Sequence, residues 1–100
     1  MFLSIRKYDE VYNLNSVTKK LNESFAPMLM AVDGFVRYCL VDIGDNNILS
    51  ITTFETKKGM EQSEKLAVEW RKKHPEASLG NPTNIFHGEE KMWVLRNQNK

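Results

Sequence analysis

From Phe2 to Asp9, Leu3 and Ile5 alternate with Phe2, Ser4, Arg6 and Tyr8. A period of two with this Phe, Ile and Tyr content predicts a strand. The period then lengthens. Val17, Leu21, Phe25, Met28 or Leu29, and Val32 recur at spacings of about four, the apolar stripe of an amphipathic helix. Asn15 or Ser16 suits its N-cap, and Asp33-Gly34 its end. Pro27 lacks an amide hydrogen, which predicts a kink or restart between Glu23 and Pro27.

From Gly34 to Glu55, two runs rich in β-branched and aromatic residues flank Gly44-Asp45-Asn46-Asn47, the pattern of a β-hairpin. Pairing Ile43 with Ile48 puts Phe35, Arg37, Cys39, Val41, Ile43, Ile48, Ser50, Thr52 and Phe54 on one face. Val36, Tyr38, Leu40, Asp42, Leu49, Ile51, Thr53 and Glu55 then occupy the other. Neither set is a plain polar surface, so both faces need cover.

Thr56 can cap a second helix over Lys57 to Lys73, with Met60, Ser63, Leu66 or Ala67, and Trp70 on its stripe. Arg71, Lys72 and Lys73 suit its C-terminal dipole, and His74-Pro75 ends it. Pro75 to Pro82 reads as a loop, with one helical turn at Glu76 to Leu79 capped by Gly80. Thr83 to His87 and Met92 to Leu95 read as extended, separated by a polar bulge or turn at Gly88 to Lys91. Residues 1–96 thus form one domain and 97–100 a polar tail.

The order strand, helix, strand, strand, helix, strand favours an α+β, ferredoxin-like β-α-β-β-α-β sandwich with a four-stranded antiparallel sheet. Two helices cover one face of such a sheet. A second copy of the chain is the economical cover for the other, so a homodimer is expected.

Composition removes several classes of function. The chain has 100 residues and a formal net charge of +1, with both signs dispersed. That is not the clustered basic surface of a nucleic-acid or anionic-membrane binder. No run approaches the ~20 apolar residues of a membrane span, and the first residues lack a signal-peptide pattern. Cys39 is the single cysteine and has no internal disulfide partner, which fits a reducing, cytoplasmic setting.

Several segments resemble the antibiotic-biosynthesis-monooxygenase-like family of dimeric α+β barrels. They are Gly34-Phe35, Tyr38, Val41-Asp42-Ile43-Gly44-Asp45, Ser50-Ile51, Phe54-Glu55 and Ala67-Val68-Glu69-Trp70. The resemblance spans Phe2 to about Val94 and is nearest to small stand-alone members. It implies a barrel-like dimer with a pocket between each sheet and its own helices. Characterised members oxidise quinone-type aromatics without a cofactor, or bind and degrade haem. Haem-degrading members use an asparagine on the first strand, and Phe2 to Asp9 has none. They also use a tryptophan early in the second helix, where this chain has about Ser63. Neither catalytic role carries over, so no cofactor is expected; haem stays the family's alternative, with no matched residue here to support it.

The candidate pocket residues are Arg37, Tyr38, Trp70, His74 and His87, each with a plainer reading. Trp70 and His74 lie one turn apart and can share a pocket wall, although a core anchor and a helix-end histidine are commoner roles. His87 either faces the pocket or sits exposed on an edge strand. Arg37 either holds a ligand carboxylate or pairs with Glu55, Glu89 or Glu90. Tyr38 either donates to a bound oxygen or serves an interface. Cys39 reads as an inert buried thiol without a basic activator. Five methionines read as core filler, and no metal-ligand spacing is visible. Two functions remain: a cofactor-free monooxygenase acting on a small aromatic or polycyclic substrate, and a non-catalytic dimeric ligand-binding or stress-related module.

Overall fold

The computed structural model describes residues 1–76 and 79–96. Its elements are β1 (Phe2–Tyr8), α1 (Leu14–Lys20), a π-helical turn (Leu21–Phe25), α2 (Ala26–Met30), β2 (Phe35–Gly44), β3 (Asn47–Phe54), α3 (Lys57–Lys73) and β4 (Asn84–Glu89). All strand pairs are antiparallel, in the order β2-β3-β1-β4. This is the expected ferredoxin-like α+β sandwich.

Where a kink or restart was expected, between Glu23 and Pro27, the helix instead carries a π turn over Leu21–Phe25. Backbone angles stay helical through Leu21 and Ala26, so α1, the π turn and α2 make one rod. An ideal helix advances 100° per residue, and a stripe of strict four-residue spacing drifts about 40° per step. The wider π turn takes up much of that drift. Val17, Leu21, Phe25 and Leu29 therefore all enter one core, with Phe54, Met60 and Trp70. The N-terminus differs from expectation. The rod starts at Leu14 after Asn13, with no side-chain cap bond, so Asn15 and Ser16 lie inside it. Thr56 caps α3 as predicted, its Oγ1 accepting from the Gly59 amide at 3.0 Å.

The hairpin register corrects the pairing of Ile43 with Ile48. Ile48 pairs with Asp42, and an irregularity between Asp42 and Gly44 absorbs Ile43. Asp42 Oδ1 accepts from the Gly44 amide at 2.9 Å, which fixes that kink. The chain reverses at Asp45 and Asn46, both at positive φ, as a tight two-residue hairpin turn requires. A one-residue slip turns every side chain over. Ile48, Ser50, Thr52 and Phe54 therefore share their face with Tyr38 and Leu40, not with Arg37 and Cys39.

The helix-covered face is consequently polar in its middle. Tyr38, Thr52, Ser4 and His87 form one row across the strands, and Leu40, Ser50, Arg6 and Ile85 the next. Ser4, Arg6, Ser50 and Thr52 are all buried. The helix-free face carries the row Cys39, Ile51, Ile5 and Phe86, with Leu3, Leu49 and Val41 beside it. Val41 and Phe86 are exposed.

β4 runs through Gly88 to Glu89, where a polar break was expected, and Met92 to Leu95 join no strand ladder. The helical turn at Glu76 to Leu79 includes Ala77 and Ser78, outside the described residues, as does the tail 97–100.

Gly59 seats α3 on the sheet. A Cβ there would stand 2.8 Å from the Asp33 carbonyl oxygen and 2.9 Å from Phe54 Cδ1. Alanine gains up to ~1 kcal/mol in a helix, but overpacking against backbone costs roughly 1–3 kcal/mol. Gly59→Ala is expected to lower stability despite its better helix propensity, read as a lower urea midpoint at unchanged m-value. An unchanged or raised midpoint would show that α3 has room to move away.

Candidate functional site

The polar rows and the helices above them enclose a small cavity. Its wall includes Ser4, Arg6, Tyr8, Phe25, Tyr38, Ser63, Glu64, Trp70, Arg71, Leu79 and Gly80, and its volume is about 40 Å³. That holds a few waters, far less than the ~300 Å³ or more of a typical small-molecule pocket.

One side of the cavity is aromatic. The Phe25 ring stands edge-on to Tyr38 at 5.7 Å and tilted to Trp70 at 5.5 Å. Trp70 Nε1 donates to Ser24 Oγ at 2.9 Å. The π turn thus supplies both the ring and the hydroxyl that hold Trp70. His74 stacks on the far side of Trp70 at 4.5 Å, and its Nδ1 lies 3.1 Å from the Trp70 carbonyl oxygen. It supports Trp70 from behind and is not part of the wall.

The other side is a charged cluster centred on Glu64 of α3. Its Oε2 lies 3.4 Å from Arg6 Nη2, accepts from Ser4 Oγ at 3.3 Å, and is in close contact with His87 Nε2. Arg6 is only 9% exposed, and its Nε has no hydrogen-bond partner. A buried donor without a partner costs about 1–3 kcal/mol. His87 is half-exposed at the rim, so the cluster connects the cavity to solvent through Glu64.

Of the five residues singled out from sequence, Tyr38 and Trp70 line the cavity. His87 reaches it through Glu64, and His74 backs it. Arg37 does not contribute. It lies on the helix-free face, and its Nη2 is 3.6 Å from Cys39 Sγ, with no carboxylate partner among the described residues. Cys39 is therefore half-buried beside a guanidinium, which corrects the reading of a buried thiol without a basic neighbour.

Sequence reasoning missed Arg6, Glu64 and Ser4. The signal was the alternation of Ser4, Arg6 and Tyr8 with Leu3 and Ile5, but the pattern does not say which set the helices cover. Among the described residues, no group of three or more His, Cys, Asp and Glu could hold a metal ion, and no helix is long and apolar enough to cross a membrane.

No family model matches this sequence, and no curated protein matches it. Solved structures share its fold. A monooxygenase from the gene ActVA-Orf6 of Streptomyces coelicolor, in complex with the ligand Nanaomycin D, is 12% identical with a TM-score of 0.72, covering 96% of this chain and 92% of its own. A dimeric ferredoxin-like protein from an uncultured marine organism is 17% identical with a TM-score of 0.69, covering 95% and 98%. An uncharacterized NIPSNAP domain protein from Burkholderia xenovorans is 13% identical with a TM-score of 0.62, covering 96% and 100%. The resemblance drawn from the sequence thus holds at the level of the fold, a ferredoxin-like α+β sandwich.

Burial holds the Tyr38 phenol in its protonated form and raises its pKa well above the ordinary tyrosine value. Tyr8 adds to the rise, Arg6 opposes it and Cys39 adds a little. Above pH 10 the unfolded chain releases this proton while the folded chain keeps it. Stability should then fall as pH rises, by up to about 1.4 kcal/mol per pH unit for one proton. Urea unfolding at pH 9, 10 and 11 is expected to show a shallower fall for Tyr38→Phe than for the parent. Parallel curves would show that the phenol ionises freely in the fold.

Proposed function

We propose that this chain forms a homodimer through its helix-free sheet face and binds, in the cavity of each protomer, a small aromatic molecule bearing an acidic ring oxygen. The observation that carries the ligand class is the buried Arg6, with an unpartnered Nε beside an aromatic wall. A phenolate or enolate oxygen would satisfy that nitrogen, and Phe25, Tyr38 and Trp70 offer apolar and aromatic contact to the ring. Leu79 and Gly80 border the cavity. A ring can enter only if that segment, or the rod with its π turn, moves outward.

The chemistry such a site supports is oxidation by molecular oxygen without a resident cofactor. Glu64 takes the phenolic proton and His87 passes it to solvent. Arg6 holds the oxyanion. The electron-rich ring carbon then forms a bond to O2, giving a peroxide that is protonated from solvent through His87 and Glu64. The O–O bond breaks as that carbon loses its hydrogen, so one oxygen atom becomes a new carbonyl and the other leaves as water, carrying the carbon's hydrogen and the returned proton. The similar structure from Streptomyces coelicolor is a monooxygenase holding a ligand, which supports the reading. The small volume favours a second reading, a dimeric ligand-binding module without turnover.

Anthrone in aerated buffer separates the two, since oxidation to anthraquinone consumes one O2 and yields one water. The monooxygenase reading expects quenched tryptophan fluorescence together with anthraquinone formation faster than in buffer. Arg6→Met should weaken binding at least about tenfold, as loss of a charge-assisted bond does. Quenching without product formation would establish the binding module. A panel of anthrone, naphthohydroquinone and a hydroxynaphthoquinone that neither binds nor reacts would exclude both. Light scattering at micromolar concentration is expected to give twice the chain mass, and a stable monomer would remove the dimer.

A further inference from the structure

The wall of the inner cavity continues along α3. Ser63, Glu64, Ala67, Trp70 and Arg71 all line that cavity, the spacing of one inward stripe of a helix. Arg71 ends the stripe and is half-buried. With Lys72 and Asn81 it also lines a neighbouring, more open depression of about 310 Å³. Arg71 and Gly80 are the residues the two spaces share. The inner cavity, at about 40 Å³, is too small for a ring, whereas the depression beside it reaches the size of a small-molecule pocket.

The charge pattern of α3 sets Arg71 apart. Helical spacing puts a carboxylate within reach of every lysine of α3. Glu61 stands three or four residues from Lys57, Lys58 and Lys65, and Glu69 from Lys72 and Lys73. Arg71 has Ala67, Val68, His74 and Pro75 at those positions, and it joins no ion pair among the described residues. Its place near the helix end suits the dipole, but the exposed Lys72 and Lys73 already serve there. A half-buried guanidinium gives up water, and here it gains no carboxylate in return.

The stripe also sets a distance. Glu64, whose carboxylate meets Arg6, lies two helical turns before Arg71, roughly 10 Å along the axis. A fused two- or three-ring system with a substituent at each end is about that long. We infer that the ligand of this site is acidic at both ends. Its ring oxygen meets Arg6 inside, and a carboxylate at the far end of the ring system meets Arg71 where the cavity joins the depression. Lys72 adds positive charge at the rim. Arg71 is then a specificity residue, which selects ring systems with an acidic group opposite the reacting oxygen and fixes which end enters. The inference rests on the ligand site proposed above.

Three probes test it in the full chain. 6-Hydroxy-2-naphthoate carries its hydroxyl and carboxylate at opposite ends of two fused rings, 1-hydroxy-2-naphthoate carries them side by side, and 2-naphthol has no carboxylate. Calorimetric titration at neutral pH is expected to show 6-hydroxy-2-naphthoate binding at least about tenfold tighter than 2-naphthol, the scale of one charge-assisted bond. The side-by-side isomer should gain little. Arg71→Met should bring the ratio of the two affinities close to one, and Arg71→Lys should keep part of it. A role confined to the helix dipole would lower the urea midpoint of Arg71→Met and leave that ratio intact, which would overturn the inference. Binding of 2-naphthol with no gain from the distant carboxylate, or an equal gain from both isomers, would overturn it and leave the ring site standing. Failure of all three probes to bind would overturn the inference and the ring site together.

Discussion

The structure depends on a sheet that carries two polar rows on its helix-covered face, between two apolar clusters. In an ordinary two-layer α+β protein the helices cover the apolar face and water covers the other. Here the helices close over Ser4, Arg6, Ser50 and Thr52, while Ile5, Ile51, Leu49 and Phe86 lie on the uncovered side. Both halves of that arrangement are unfavourable for an isolated chain. Polar groups under the helices need partners, and apolar groups on the open face stay in water. A second sheet, as in the proposed dimer, would remove the second cost. A polar ligand would reduce the first, because Arg6 keeps one donor unsatisfied.

The helical rod is shaped to the same end. Two apolar clusters hold it and the neighbouring loop to the sheet. One is built on Val17, Leu21, Phe25, Leu29 and Phe54, the other on Tyr8, Val11 and Ile48. The polar rows lie between the two clusters, which is why a cavity persists there. The π turn keeps the four-residue stripe aligned over the first cluster and also presents Ser24 to Trp70. One local irregularity therefore serves packing and the aromatic wall together, in keeping with the frequent placement of π turns at functional sites.

Elements were legible in the sequence, and facing was not. Period and capping gave β1, α3 with its Thr56 cap, an irregularity ahead of Pro27 and the hairpin, because these are set by residues near one another in the chain. The hairpin register needed knowledge of how Asp42 and Gly44 fold back, and slipping it by one residue put Arg37 with Phe54 and Tyr38 on the opposite face. The same limit hid Arg6. An alternating strand says that two faces differ, but it cannot say which one the helices will choose, and the commoner choice buries Leu3 and Ile5. Glu64 gave no sign of its own in sequence, since it sits on α3 among exposed charges such as Glu61 and Lys65.

Stability alone gives no reason for a guanidinium at position 6. Burying a charge costs several kcal/mol, and even a well-made ion pair often does no better than apolar residues of the same volume. Glu64 at 3.4 Å is a loose partner, shared with Ser4 and His87, and it leaves Arg6 Nε without an acceptor. A leucine there would match Leu3 and Ile5 in kind and extend the apolar clusters across the gap between them. The cost is therefore local, and it falls in one of the two rows that face the cavity, next to the row of Tyr38. On the proposed reading, a buried guanidinium with one unsatisfied N–H at the wall of the inner cavity is the donor an anionic oxygen would meet, with binding left to supply the missing acceptor.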